Sequence, residues 1–301
     1  MSAPLPSPLA ARPVHIIGAS GRSGAALTRA LLAGGTTVIP VVRNIGKWEA
    51  LGLRSAGRVA ELSNGPALAA ALHDAAAVVS CAHARHAPAI IAAAPPSATL
   101  ILLGSTRKFT RWPDAHGNGV LAGEAAFLAS GRDGVMLHPT MIYGAQGEDN
   151  VRRLAALLRR VWVLPLPGGG RALVQPIHQS DVTVAIRAAL RHPWSGPHSL
   201  VIAGPTAIRY AEFVRAVAAA DGQRRPRILP FPAGPLIAAA SLPRLMPWGM
   251  PWGMPTVRAD EIRRLLEDKA FDITPMRETL GIEPISLRDG LARTFGGPHD
   301  D

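Results

Sequence analysis

Val14-His15-Ile16-Ile17-Gly18-Ala19-Ser20-Gly21-Arg22-Ser23-Gly24 begins the ordered reading of this 301-residue chain and decides it. An apolar β-run, Val14 to Ile17, ends in glycines at 18, 21 and 24, and a helix of small residues is expected from Arg22 to Ala33. Each glycine has a mechanical job: a tight turn, close approach of backbone to a phosphate, and close packing of helix on strand. A helix that starts there offers free N–H groups and the positive end of its dipole to an anion. Gly18, Ser20, Gly21, Arg22, Ser23 and Gly24 are therefore expected to seat the pyrophosphate of a dinucleotide.

Working outward, strand and helix signals alternate. Thr37 to Val42 reads as a strand, Lys47 to Leu53 as a helix, and the apolar runs Ala76 to Ser80, Thr99 to Leu103 and Gly134 to Leu137 as further strands. Stretches rich in helix formers separate them, as in a parallel sheet buried on both faces. Right-handed crossovers make this an α/β fold with a doubly wound parallel sheet, a Rossmann architecture. After Tyr143 the texture changes. A basic helix from Asn150 to Arg160, a Pro/Gly segment from Leu164 to Gly170, a helix from Ser180 to Leu190 and a strand from His198 to Ile202 precede short helices such as Tyr210 to Ala220 and Val257 to Glu267. The expected organisation is a Rossmann domain of residues 13–145 and 179–203, a smaller C-terminal substrate or partner lobe of 146–178 and 204–301, and a flexible tail of 1–12.

Composition narrows the class. With 48% hydrophobic and 18% charged residues the chain is a folded globular protein, and its single cysteine, Cys81, forbids an intrachain disulfide. The N-terminus lacks the pattern of a secretory signal, and prolines or arginine interrupt the longest apolar stretches, so a cytoplasmic protein without a transmembrane span is expected. The net charge of +11 comes from scattered arginines, with lysine only at 47, 108 and 269. No block of like charge occurs, so no nucleic-acid partner is expected.

At the end of the second strand, where an acid would bind both ribose hydroxyls of NAD, the chain has Arg43. A guanidinium pairs bidentately with a 2′-phosphate, and Arg22 lies within reach of the same region, so NADP is favoured over NAD as the cofactor.

The chain resembles the atypical and extended short-chain dehydrogenase/reductases, in the branch that includes NmrA-like proteins and the nucleotide-binding accessory subunit of respiratory complex I. Besides the glycine turn, the resemblance rests on Leu102-Leu103-Gly104-Ser105-Thr106, His138-Pro139-Thr140-Met141-Ile142-Tyr143-Gly144, Gln175-Pro176-Ile177-His178-Gln179-Ser180-Asp181-Val182, and Leu280-Gly281-Ile282-Glu283-Pro284 with Leu287 to Leu291. It implies phosphate contacts from Ser20 to Ser23, an adenine-side contact from Asn64, Ala82 beneath the cofactor, and Pro139, Thr140 and Met141 lining the nicotinamide side. His138 stands where the family usually has arginine.

The departure that matters most concerns catalysis. The family uses a Tyr-x-x-x-Lys helix, in which lysine lowers the phenol's pKa. Here Tyr143 is followed four residues on by Gly147 and Tyr210 by Val214, so neither is that pair; His116 and Val120 fall where tyrosine and lysine would. Ser105, Lys108 and His116 remain as candidate catalytic residues. Cys81, His83 and His86 have no second cysteine or acidic partner, so no metal is expected. The near-repeat Met246 to Pro255, built on Met-Pro-Trp-Gly, reads as a lid, a partner-docking loop, a membrane-edge anchor or a packed linker. Three functions follow as expectations: an NADPH-dependent reductase of an apolar carbonyl or quinone-like substrate, a non-catalytic NADP(H)-binding sensor or assembly subunit, and a nucleotide-sugar epimerase or dehydratase.

Overall fold

A computed structural model describes residues 13–144, 150–241 and 259–296. The tail 1–12 and the near-repeat 246–255 lie outside the described residues.

The first half alternates as the apolar periodicity predicts: β1 (Val14–Ile17), α1 (Arg22–Ala33), β2 (Val38–Val42), α2 (Ile45–Glu49), β3 (Arg58–Val59), α3 (Gly65–Leu72), β4 (Ala77–Ser80), α4 (Ala87–Ala93), β5 (Thr99–Leu103), α5 (Ala115–Ala129) and β6 (Gly134–Pro139). The second half adds β7 (Ile142–Tyr143), α6 (Asn150–Leu158), β8 (Val163–Pro167), β9 (Leu173–Val174), β10 (Ile177–His178), α7 (Gln179–Arg191), β11 (Pro197–Ile202), β12 (Ile208–Arg209), α8 (Tyr210–Ala220), β13 (Arg227–Phe231), α9 (Ala233–Ser241), α10 (Ala259–Leu265), α11 (Thr274–Leu280) and α12 (Leu287–Phe295).

Seven strands form one parallel sheet in the order β11-β6-β5-β4-β1-β2-β3. This is the doubly wound arrangement, and its order reverses between β1 and β4, the point in such folds beyond whose strand carboxyl ends ligands bind. The pleat assigns each strand's residues to two separate cores. Ile101 and Leu103 of β5 join Val14, Ile16, Leu27, Leu31, Ala185 and Ile186 under α1 and α7. Leu100 and Leu102 join Leu68, Leu72, Ile90, Val120 and Phe127 under α3, α4 and α5. Burial on both faces explains why these strands read as unbroken apolar runs rather than alternating ones.

Within the Pro/Gly segment of the second half, Val163 to Pro167 is a strand paired in parallel with β13, closed by a 3₁₀ turn of three positive-φ glycines, Gly168 to Gly170. The described sheet has only these two strands, so each has an open edge that tolerates a residue without N–H, such as Pro165. The inner faces of this pair, α6, α8 and α12 enclose a third core around Tyr143, Val151, Leu164, Leu166, Phe213, Val214 and Leu291.

Gly134 starts β6 with φ +145°, and a Cβ there would lie 1.9 Å from the Leu100 carbonyl oxygen on β5. Both the backbone angle and the clash with a neighbouring main chain exclude a side chain. Gly134→Ala is expected to destabilise the protein by about 2 kcal/mol or more, read from the midpoint of denaturant unfolding.

Candidate dinucleotide site

The turn after β1 is built from backbone contacts. Gly18 has φ +77°, donates its N–H to Val41, and accepts from Gly21 N–H at 2.9 Å. Its missing Cβ would meet the main chain of Cys81 and Ala82 after β4. At Gly24 a Cβ would lie 2.3 Å from the Gly18 oxygen and 2.8 Å from Ala19 Cα, so only glycine lets α1 pack down on the turn. Gly21 differs. It is exposed, and the only neighbour its Cβ would meet is the Gly18 oxygen at 3.2 Å, so the surface above it is open. Gly21 is the N-cap of α1 with no side-chain cap, and no acid stands in the first turn. Open backbone N–H groups at an uncapped helix start are what an anionic pyrophosphate needs.

The other expected cofactor residues lie along the same carboxyl edge. Arg22 and Arg43 are exposed, Arg43 directly after β2. Ser23 donates its hydroxyl proton to Gln179 Oε1 at 2.9 Å, tying the turn to α7. Asn64 caps α3, its Oδ1 accepting from Ala67 N–H. Ala82 follows β4, Ser105 follows β5, and Pro139 ends β6. Thr140, next in line, donates its hydroxyl proton to the Gln175 carbonyl, while Gln175 bridges to Gly204 O and Phe271 N. Met141 is half-buried.

Behind this edge lies a buried charge cluster that sequence reasoning missed. Glu124, on the inner face of α5, accepts from Lys108 Nζ at 2.5 Å and from the Ser199 hydroxyl at 2.5 Å. His138 Nδ1 accepts from Ser105 N–H at 3.2 Å, which leaves the proton of the neutral ring on Nε2, 3.1 Å from the same Glu124 oxygen. The His138 ring also fills the space where a Gly104 Cβ would sit, 2.3 Å from Nδ1. Burial pushes the Glu124 carboxyl up, but hydrogen bonds from Lys108 and Ser199 outweigh it and hold it below the ordinary value. Burial, with the Lys108 charge, depresses His138 to about 4. Lys108 is thus committed to a buried ion pair. The one signal in the sequence was an acid at Glu124 in step with Val120 and Phe127 on an apolar helix face.

His116 lies in the first turn of α5, exposed, with its ring edge-on to His83 at 4.3 Å between centroids. Burial and the Arg107 charge lower its pKa. Gly119 and Gly123 let the chain after β4 settle on α5, since a Cβ at 119 would meet His83 Cε1 at 2.9 Å and one at 123 the Ala84 oxygen at 2.0 Å. Neither tyrosine is on α5. Tyr143 is buried in the third core, where Gly290 makes room for its hydroxyl, and Tyr210 starts α8. Burial raises both phenols, the opposite of what a proton shuttle requires. Among the described residues, no three His, Cys, Asp or Glu are placed to hold a metal, and burial pushes the Cys81 thiol up to about 12.

The fold matches solved structures over nearly the whole chain. An NAD-bound short-chain dehydrogenase/reductase superfamily protein from Agrobacterium tumefaciens superposes with TM-score 0.68 at 15% identity, covering 94% of this chain and 95% of that one. The fold is that of the short-chain dehydrogenase/reductases. MoeE5 with UDP-glucuronic acid and NAD has the same fold at TM-score 0.70 and 18% identity, covering 94% of this chain and 97% of its own. So does dTDP-glucose 4,6-dehydratase from Bacillus anthracis with NAD, at TM-score 0.70 and 16% identity over 95% and 96% of the two chains. No family model and no curated protein sequence matches the chain.

The folded chain carries two groups with opposite pH effects. His138, depressed to about 4 from an unfolded value near 6.5, makes the unfolded chain bind more protons between those limits. Its contribution is therefore present above pH 6.5 and lost as pH falls toward 4. Asp181, near the start of α7, accepts from Ile285 N–H, and burial raises it to about 6. The folded chain then binds more protons between pH 4 and 6, so stability falls as pH rises there. Asp181→Asn should make stability climb more steeply with pH between 4 and 6 than in wild type, and His138→Gln should tilt it the other way. Each change in slope is expected to approach about 1.4 kcal/mol per pH unit, measured by urea unfolding across that range.

Proposed function

We propose that this chain binds a nicotinamide dinucleotide, with NADP(H) preferred, and reduces an apolar carbonyl or quinone-like substrate. The observation that carries the binding is the uncapped start of α1 at Gly21, open above and closed below by Gly24. Gly18, Ser20, Gly21, Arg22, Ser23 and Gly24 would hold the pyrophosphate. Arg43 would meet the 2′-phosphate, Asn64 the adenine side, and Ala82, Ser105, Pro139, Thr140 and Met141 the remaining length of the cofactor. Residues 13–145 and 179–203 serve as the binding domain, and the lobe of 146–178 and 204–301 covers the substrate. The NAD named with the solved neighbours supports a nicotinamide dinucleotide in general.

Bound NADPH would supply hydride, and the chain's own residues must supply the proton. Ser105 and His116 are the donors on the cofactor edge, and Lys108, spent on Glu124, acts through the position of His138 and Ser105. The depressed pKa of His116 leaves the imidazolium scarce at neutral pH, so a reduction that uses it as acid falls in rate as pH rises. A second reading is favoured by one observation, the absence of any tyrosine from α5: a NADP(H)-binding sensor or assembly subunit without turnover. Nucleotide-sugar epimerisation or dehydration, the chemistry named in several neighbours' titles, is the third reading.

Gly21→Val is expected to abolish NADPH binding in calorimetric titration while the protein stays folded, because the new side chain fills the open surface rather than the core. Unchanged affinity would remove the site. Arg43→Asp should weaken NADPH by about tenfold or more and spare NADH, the loss of one charge-assisted bidentate pair. Equal wild-type affinity for NADH and NADPH would make Arg43 a surface charge only. Turnover with NADPH is then assayed on short aldehydes, ketones, quinones and nucleotide sugars. Reduction of a ketone or quinone that drops about 10²-fold or more in His116→Ala or Ser105→Ala supports the reductase. Tight NADPH binding with no turnover supports the sensor, and robust epimerase activity supports the third reading.

A further inference from the structure

Helix α8 carries Glu212, Arg215, Ala216 and Ala219 at the spacing that sets them in one stripe along its surface. Its C-terminal turn closes on Gly222, whose φ of +69° turns the chain back, with the Gln223 N–H on the Ala218 carbonyl at 2.9 Å. The turn brings Gln223 and Arg225 to the same stripe, and the six residues line a groove of about 390 Å³. Ala216 and Ala219 leave it open because each contributes only a methyl group.

The charges of this groove are unbalanced. Arg215 is half-buried, and its Nε is buried without a hydrogen-bond partner. A guanidinium donor taken from water without an acceptor is unfavourable until something supplies one. Neither the Arg215 guanidinium nor that of exposed Arg225 forms an ion pair among the described residues. Asp221 nearby is committed elsewhere: its two oxygens accept from Arg159 at 2.8 and 2.6 Å, and Gln223 donates to the same carboxylate and to the Ala155 carbonyl. Glu212 accepts the Arg209 N–H through Oε2 at 3.3 Å, which leaves Oε1 for another donor.

We propose that this groove binds a phosphate monoester of a polyhydroxy compound, with the phosphate on Arg215 and Arg225 and a ligand hydroxyl donating to Glu212. Guanidinium forks match phosphate oxygens, and the pairing gives Arg215 the acceptor it lacks. The lining side chains carry two positive charges and one negative charge. The groove therefore favours an anion that also offers donors to a carboxylate. Its volume of about 390 Å³ is larger than an inorganic phosphate fills, which selects an ester over the bare ion. The six residues share none with the expected dinucleotide site, so the proposal stands apart from that reading.

The test is calorimetric titration of the full chain with glucose 6-phosphate, glucose and inorganic phosphate, repeated on Arg225→Gln and on Arg215→Gln with Arg225→Gln. Wild type is expected to bind glucose 6-phosphate at one site, about tenfold or more tighter than either glucose or phosphate. Each substitution should weaken that binding by about tenfold or more, the loss of one charge-assisted pair, and leave the NADPH titration unchanged. The melting temperature should not fall, since neither guanidinium holds a partner within the fold. Absence of glucose 6-phosphate binding by wild type overturns the proposal. So does binding that survives both substitutions, which assigns the phosphate to another place such as the open start of α1. Inorganic phosphate bound as tightly as glucose 6-phosphate overturns it too, as the mark of a bare oxyanion site.

Discussion

Main chain pressed on main chain at Gly18 and Gly24 is the constraint around which this protein is arranged. The missing Cβ of Gly24 would sit inside the van der Waals shell of the Gly18 oxygen, and that of Gly18 against the chain after β4. Glycine at both places brings the start of α1, the end of β1 and the end of β4 to one point, where the order of the sheet reverses. The helix starts at Gly21 without a capping side chain, under an open surface. The open helix start follows from packing and needs no charged side chain of its own.

The polar interior behind that point has a different logic. Lys108, Glu124, His138 and Ser199 come from the β5–α5 connection, α5, β6 and β11, and meet through one carboxylate oxygen of Glu124. A carboxylate taken from water requires such partners, and the cost of leaving any of them unpaired makes the group act as a unit. His138 occupies the position where the resembling segment has arginine, and Lys108 supplies a positive charge to Glu124 beside it. The outcome is that a lysine next to the expected cofactor site is held in a buried ion pair, while Ser105 is placed by its N–H to His138.

Other parts of the chain illustrate how side-chain chemistry is redirected by location. Tyr143, one of the chain's two tyrosines, packs its ring beside His178, and its hydroxyl fills the space above Gly290. Arg58 similarly serves the opposite end of the sheet, where both its terminal nitrogens donate to Asp74 and His15 Nε2 lies 3.0 Å from the same carboxylate.

The strands β1, β4, β5 and β6, the helices α1 and α8, and the glycine turn were legible in the sequence because each is specified locally, by an apolar run buried on both faces, by small-residue periodicity or by the spacing of 18, 21 and 24. The two-residue strands β3, β7, β9, β10 and β12 were not, since two residues carry no period and become strands only when a distant segment supplies the hydrogen bonds. The same holds for β8, which the sequence showed only as part of a Pro/Gly segment and which a partner 64 residues on, Arg227 opposite Val163, made a strand. By itself the sequence determined the doubly wound class, the glycine turn after β1, Arg43 at the end of β2 and the lack of a tyrosine-lysine pair. Only the tertiary structure decided that Lys108 neutralises Glu124 and that Ser23 binds Gln179, because each depends on which side chains meet across long separations and on what burial then does to their charge.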